Sequence, residues 1–225
     1  MEQIVEKQRA TYLFLKDKQR RLREGFPENL ALRVHRAISW LSRAEAEQDD
    51  FDAAFVFYWI AFNSAYASEI SISYFHREKD VFSGFFEHLL LLDKENEIYE
   101  VIWGRFSSSI RTLLENQYVF QPFWNFKNRV EGYDDWERSF NASKKRINQA
   151  LADQDTKLIL AILFDRLYVL RNQLMHGGAT WNSKVNRGQV GDGARILGFL
   201  MPIFINLMMD NSEVPWGKPY YPVIS

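Results

Sequence analysis

DTKLILAILFDRLYVLRNQLMHGG, residues 155–178, is the most regular helical pattern in the chain. Its leucines recur at spacings of three, four, three and four residues, as Leu160, Leu163, Leu167, Leu170 and Leu174. A second stripe lies about 130° around the helix, given roughly 100° of rotation per residue, and consists of Ile159, Ile162, Val169 and His176. A helix that is apolar on two sides is usually covered on two sides. We therefore expect a buried helix, with Gly177 and Gly178 forming its left-handed C-terminal cap.

Two further helices are predicted upstream. Apolar residues recur every three or four positions across 29–47, as Val34, Ala37, Ile38, Leu41 and Ala44. The stretch that follows, residues 48–70, offers Asp49 and Asp50 as N-cap residues of the next helix. One face of that helix carries Phe51, Phe55, Tyr58, Phe62 and Ala65. Because the connecting turn is so short, the two helices should pack antiparallel as a hairpin.

The last helix should follow a loop at residues 177–191, with Asp192 as its N-cap. It contains ILGFLMPIFINLMM, residues 196–209, which carries no charge. These residues would rise only about 21 Å as a helix, against a hydrocarbon core of roughly 30 Å. We therefore expect a buried helix rather than a membrane span, and Pro202 should kink it or mark a break.

Together these patterns predict an all-α fold in a single domain over residues 1–225. Its core would be a four-helix up-and-down bundle made of two hairpins, residues 29–72 and 155–210. A charged N-terminal helix over residues 1–24 should precede the bundle. Residues 76–150 are interpreted as a mostly helical insertion, with helical pieces at 82–92, 95–116 and 135–151 and an irregular aromatic link at 118–133.

Composition limits the possible functions. The chain has 28 basic and 29 acidic side chains, a formal net charge of −1, so nucleic acid could be attracted only by a local patch. There is no cysteine, which excludes disulfides, thiolate catalysis and cysteine-ligated metals. Without a signal peptide or an adequate membrane span, a cytoplasmic location and no membrane association are expected. His35, His76 and His88 show no metal-ligand spacing, so neither a metal nor another cofactor is predicted.

Three polar residues, Arg171, Asn172 and His176, end the helix of residues 155–176. The helix dipole alone favours a cation there, by about 0.3–1 kcal/mol at exposed sites. However, His176 lies one turn after Asn172 on the same face, where the amide could orient the imidazole. Arg171 is about 140° from His176 by helical rotation, and its long side chain could still reach the same pocket. The three residues are therefore a candidate active site.

The hexapeptide RNQLMH, residues 171–176, resembles the signature of the HEPN superfamily: an arginine, four to six intervening residues and a histidine, commonly with a polar residue after the arginine. The resemblance extends to residues 59–66 and to the helix–loop–helix at 155–210. It implies a homodimer in which the two motif helices meet and, in active members, metal-independent cleavage of RNA. Similarity to Apea-like, toxin or defence-type members further implies a neutralising antitoxin protein.

The residue types suit this chemistry. His176 could take or give a proton near neutral pH, Arg171 could hold phosphate oxygens, and Asn172 could orient the histidine or bind phosphate. Cations after the motif would bind RNA and Trp181 would stack on a base; the cations are Lys184, Arg187 and Arg195. Two alternatives remain open. One is a non-catalytic HEPN module for dimerisation or RNA binding, and the other is an all-α regulatory scaffold in which Arg171 and His176 merely end a helix.

Overall fold

A computed structural model describes residues 11–67, 78–184 and 186–223, with side chains from residue 84 onward in the helix that begins at residue 78. The fold is all-α, and the described residues contain no β-strand. A π-helix over Glu100–Arg105 and two 3₁₀ turns, Arg23–Gly25 and Gln117–Val119, accompany the α-helices. The α-helices are α1 (Tyr12–Leu22), α2 (Glu28–Ala46), α3 (Phe51–Tyr66), α4 (Glu78–Leu92), α5 (Glu97–Tyr99), α6 (Ser107–Leu114), α7 (Gln121–Lys127), α8 (Trp136–Ala152), α9 (Thr156–Met175) and α10 (Arg187–Asp210).

The chain divides into two compact units, one of residues 1–73 with 197–225 and the other of residues 74–196. In the first unit α2 and α3 pack on each other as the predicted hairpin. The N-cap is Asp50, whose carboxylate accepts hydrogen bonds from the backbone N–H groups of Asp52 and Ala53, each at 3.0 Å. The predicted apolar stripes are largely buried here, including Val34, Ala37, Leu41, Phe55 and Phe62.

A buried arginine joins this hairpin to the C-terminal segment within the first unit. Arg33 is 1% exposed. Its guanidinium donates to the carbonyl of Ala65 at 2.7 Å, of Gly217 at 3.1 Å and of Lys218 at 3.0 Å. Burial lowers the pKa of Arg33 to about 10, so the side chain stays protonated at neutral pH. The charge is thus satisfied by backbone carbonyls.

In the second unit α9 is surrounded by helices that the sequence assigned to an insertion. It packs against α4, α6 and α8. The rings of Phe86 and Phe164 are 4.7 Å apart, and the Trp103 indole donates to the Thr156 hydroxyl at 2.9 Å. Residues 76–150 therefore supply much of the cover for α9. The two predicted stripes of α9 are buried at most positions, including Ile159, Leu163, Leu167, Val169 and Leu170.

Three expectations about element boundaries were wrong. The helix predicted at residues 95–116 is interrupted, because the backbone passes into the π-helix and breaks before α6. The link at residues 118–133 contains α7, which has a proline in its first turn, where a missing N–H does no harm. The last helix begins at Arg187, so Asp192 lies inside α10 and pairs with Arg195 instead of capping.

The remaining expectations for the fold have mixed outcomes. Helix α1 matches the described part of the predicted N-terminal helix, and residues 1–10 and 68–77 lie outside the described residues. Pro202 lies inside α10, which continues to Asp210. The single domain, the second hairpin and the four-helix arrangement stay predictions.

Helix α10 is long and apolar enough to cross a membrane by length and composition alone. Its most apolar window has a mean hydropathy of 1.3, and 72% of that window is buried within the protein. A core helix of a soluble protein passes the same test, so this is weak evidence for a span.

Candidate active site at the end of helix α9

The last turn of α9 ends in two glycines with a specific hydrogen-bond pattern. The N–H of Gly178 donates to the carbonyl of Gln173 at 2.7 Å, and that of Gly177 to the carbonyl of Leu174 at 3.3 Å. With φ of +68° at Gly177, this is a Schellman cap, and the predicted left-handed cap is confirmed. A Cβ added to Gly178 would lie 3.0 Å from the carbonyl oxygen of Gln173. His176 is consequently the last residue before the turn, and its side chain is exposed.

The polar residues of the motif do not pair as the sequence suggested. The Asn172 side-chain oxygen accepts a hydrogen bond from the Arg171 guanidinium at 2.8 Å. Arg171 and Asn172 are both half-buried. In the part of the chain that is described, no hydrogen bond joins the Asn172 amide to the His176 imidazole, so that expected contact was wrong within a single chain. The structure thus brings Arg171 and Asn172 together and presents His176 separately, at the exposed helix end.

Gln173 holds this helix end in place, a role that the sequence did not reveal. Its amide nitrogen donates to the carbonyl of Tyr118 at 2.5 Å, and its amide oxygen accepts from the side chain of Asn186 at 2.8 Å. The end of α9 is therefore tied both to the segment before α7 and to the residues that begin α10. No sequence pattern signals these contacts, because Tyr118 is 55 positions away.

An aromatic cluster continues from Tyr118 to the start of α8. The rings of Tyr118 and Phe123 are 5.4 Å apart, and those of Phe123 and Trp136 are 5.0 Å apart. Both pairs meet edge to face, the arrangement that the ring quadrupoles favour. Phe120, Phe123 and Phe140 form the buried part of the cluster. The motif end of α9 and the first turn of α8 are thus joined by packed side chains.

A buried arginine lies between α8 and α9. Arg166 is 1% exposed, and its guanidinium donates to the Ser143 hydroxyl at 3.0 Å and stacks 4.6 Å from the centre of the Phe120 ring. Burial lowers the pKa of this guanidinium, and the adjacent carboxylate of Asp165 opposes that shift. The sequence signal was available, since Arg166 falls three residues after Leu163 and four before Leu170 on the apolar stripe.

The predicted RNA-binding residues lie in and after the loop that follows the motif. Trp181 is 74% exposed and Lys184 is exposed. Arg187 donates to the Asn182 side chain at 3.2 Å, and Arg195 lies 3.3 Å from the Asp192 carboxylate. Arg187 and Arg195 are therefore partly engaged in local contacts, and Trp181 and Lys184 are the more accessible members of the set.

The described residues contain no group of three or more histidine, cysteine, aspartate or glutamate side chains that could hold a metal ion. His35 and His88 are both exposed, and His76 lies outside the described residues.

No protein-family model, curated protein or solved structure matches this chain.

Proposed function

We propose that this chain is a metal-independent endoribonuclease of the HEPN type, with its active site at the end of α9. The proposal rests on one observation: Arg171 and His176 both lie within the last two turns of α9, next to its glycine cap. The His176 side chain is exposed, and the Arg171 guanidinium is steadied by Asn172. A histidine packed inside the subunit would have favoured a structural role, and this one is not packed inside.

The chemistry requires a base, an acid and a phosphate clamp. The ribose 2′-oxygen attacks the adjacent phosphorus and gives up its proton, a bond forms between them, and the bond from phosphorus to the 5′-oxygen breaks as that oxygen gains a proton. The products are a 2′,3′-cyclic phosphate and a free 5′-hydroxyl. His176 moves a proton, a role that typically contributes about 10²- to 10⁴-fold in rate. Arg171 offsets the negative charge that builds on the phosphate oxygens.

A homodimer would complete the site. One histidine cannot be base and acid in the same step, so His176 of a second copy would fill the other role. The Asn172 side-chain oxygen is engaged by Arg171, and no described residue hydrogen-bonds the His176 imidazole, which supports a contribution from a second chain. The toxin or defence role and the restraining antitoxin protein rest on the family resemblance alone.

The test is cleavage of a mixed-sequence RNA in EDTA by the parent, Arg171→Ala and His176→Ala proteins. Matched controls are Arg111→Ala and His88→Ala, which remove an exposed arginine and an exposed histidine from other helices. We expect cyclic-phosphate ends from the parent and both controls, and a loss of about 100-fold or more in both motif variants. RNA left intact by the parent, or cut equally by the motif variants, would refute the nuclease.

The second candidate is a non-catalytic module that binds RNA with the same residues. The observation in its favour is that Trp181 and Lys184 are exposed, so both are accessible for RNA binding that needs no proton transfer. Retained RNA binding by a parent protein that cleaves nothing would support this alternative.

A further inference from the structure

After Glu137 in its first turn, helix α8 carries a run of cations and no further acidic residue. Between positions 138 and 152 it contains four basic side chains and no aspartate or glutamate. Its inward face is apolar, with Phe140, Ile147 and Ala150 buried. The exposed residues other than Glu137, Ala142 and Ala152 carry hydrogen-bond donors, and they are Arg138, Ser139, Asn141, Lys145, Arg146, Asn148 and Gln149. In a chain of net charge −1, this exposed face is a local positive surface.

Few of these cations are neutralised by the protein. Arg138 is 85% exposed and lies 3.6 Å from the exposed Asp135, a surface pair of small energy. Lys144 lies 4.7 Å above the Phe140 ring. Lys145 and Arg146 are exposed and form no ion pair with any described residue. Two cations of α8 are therefore free to meet an external anion.

The basic face begins beside the candidate active site. Helices α8 and α9 are joined by three residues and pack on each other, and the bond from Arg166 to Ser143 shows that they are antiparallel. The first turn of α8 therefore lies at the same end as the last turn of α9. Contacts from Gln173 through Tyr118 and Phe123 to Trp136 connect the two ends through the segment before α8. At 1.5 Å per residue, Lys145 is about 10 Å further along α8 than Arg138.

We propose that the exposed face of α8 binds the phosphate backbone of the RNA that the end of α9 acts on. Arginine, lysine, asparagine and glutamine are side chains that contact phosphates and fix the register of a nucleic acid without reading its sequence. Cationic and amide donors spaced along one helix face can bind successive phosphates of an RNA backbone. The identity of the ligand as RNA rests on the proposed function, while the positive face itself does not. Substrate contact thus extends beyond Trp181, Lys184, Arg187 and Arg195.

The test measures binding separately from cleavage, with a labelled mixed-sequence RNA whose riboses are 2′-O-methylated and cannot attack. The variant is the double substitution Lys145→Gln and Arg146→Gln. The matched control is Arg20→Gln with Arg23→Gln, which removes two exposed cations from the other unit. We expect the Kd of the α8 variant to rise roughly tenfold, and its salt slope to fall by about 1.4, since each phosphate contact on a single strand contributes about 0.7. The control should match the parent.

The outcomes separate this inference from the proposed function. An α8 variant that binds like the parent, while Arg171→Ala and His176→Ala abolish cleavage, overturns the inference and leaves the nuclease standing. If the parent binds RNA without cleaving it, and the α8 variant binds less well, the inference about the α8 face is supported and the nuclease is refuted. A parent that binds no RNA overturns the inference. Circular dichroism spectra equal to that of the parent confirm that the variants fold.

Discussion

At the scale of single residues, two buried guanidiniums differ in how completely they are hydrogen-bonded. Arg33 uses Nε and both terminal nitrogens on three backbone carbonyls. Arg166 has the Ser143 hydroxyl, the Phe120 ring and a long contact of 3.5 Å to Asp165, and its Nε has no partner among the described residues. A buried cation that joins three carbonyls holds chain segments together, because each carbonyl would otherwise lack a donor. Arg33 is therefore the main anchor of the C-terminal segment.

Replacing Arg33 with lysine should destabilise the protein and free residues 217–218. One ammonium cannot replace a planar fork that meets three acceptors. We expect a loss of about 2–4 kcal/mol in the free energy of unfolding, measured in urea, and faster amide hydrogen exchange in residues 211–223. The control is Arg36→Lys, since Arg36 makes one exposed bond to the carbonyl of Tyr221 and should cost about 0.5 kcal/mol or less. Equal losses in the two variants would contradict the anchor.

At the scale of elements, the cap of α9 determines where its last residues point. The left-handed φ of Gly177 is what allows the chain to turn immediately after His176. A side chain in that conformation costs roughly 1–2 kcal/mol, whereas a glycine within a helix is replaced by alanine with a gain. Gly188 offers the second case, because it lies in the first turn of α10 and a Cβ added there would meet no atom within 4 Å.

Gly177→Ala should therefore lower the free energy of unfolding by about 1–2 kcal/mol, and Gly188→Ala should raise it by about 0.5–1 kcal/mol. Urea titration followed by circular dichroism measures both. If the proposed nuclease is correct, Gly177→Ala should also slow RNA cleavage, because it displaces His176. A Gly177→Ala protein as stable as the parent would show that the left-handed cap is not maintained in solution.

Helices with a clear apolar period could be read from the sequence. Both ends of α2, α8 and α9 and the start of α3 lie close to the predicted positions, since periodicity and N-cap residues are local signals. The break at residues 95–116 could not be read, because it is stabilised by distant contacts such as Trp103 with Thr156. In the same way, residue types and spacing revealed the motif at 171–176 as a candidate, but not the Gln173 contacts that fix it. Apolar periodicity in the sequence thus locates a helix, whereas contacts between distant residues determine where that helix is interrupted.

At the scale of the whole molecule, the net charge and the exposed apolar side chains both bear on the proposed function. A net charge of −1 gives no long-range attraction to RNA, so the proposed RNA contacts at the motif end of α9 and on α8 depend on local patches of charge. Exposed apolar side chains also lie close to His176 in the sequence, with Met175 at 53% and Trp181 at 74% exposure. Large apolar side chains left in solvent around a candidate site commonly mark an interface. These residues connect the proposed site to the proposed dimer.

We therefore expect the protein to form a dimer whose mass is twice the 26.6 kDa of the chain, measured by light scattering after size exclusion. Met175→Glu should convert it to a monomer and abolish RNA cleavage together, because a symmetric interface would bury one carboxylate from each copy, which is unfavourable. Leu13→Glu is the control, since Leu13 is 73% exposed on α1, far in sequence from the motif, and should leave the mass unchanged. A parent that is monomeric at the concentrations at which it cleaves RNA would contradict the proposed dimeric site, because one His176 would then have to be both acid and base.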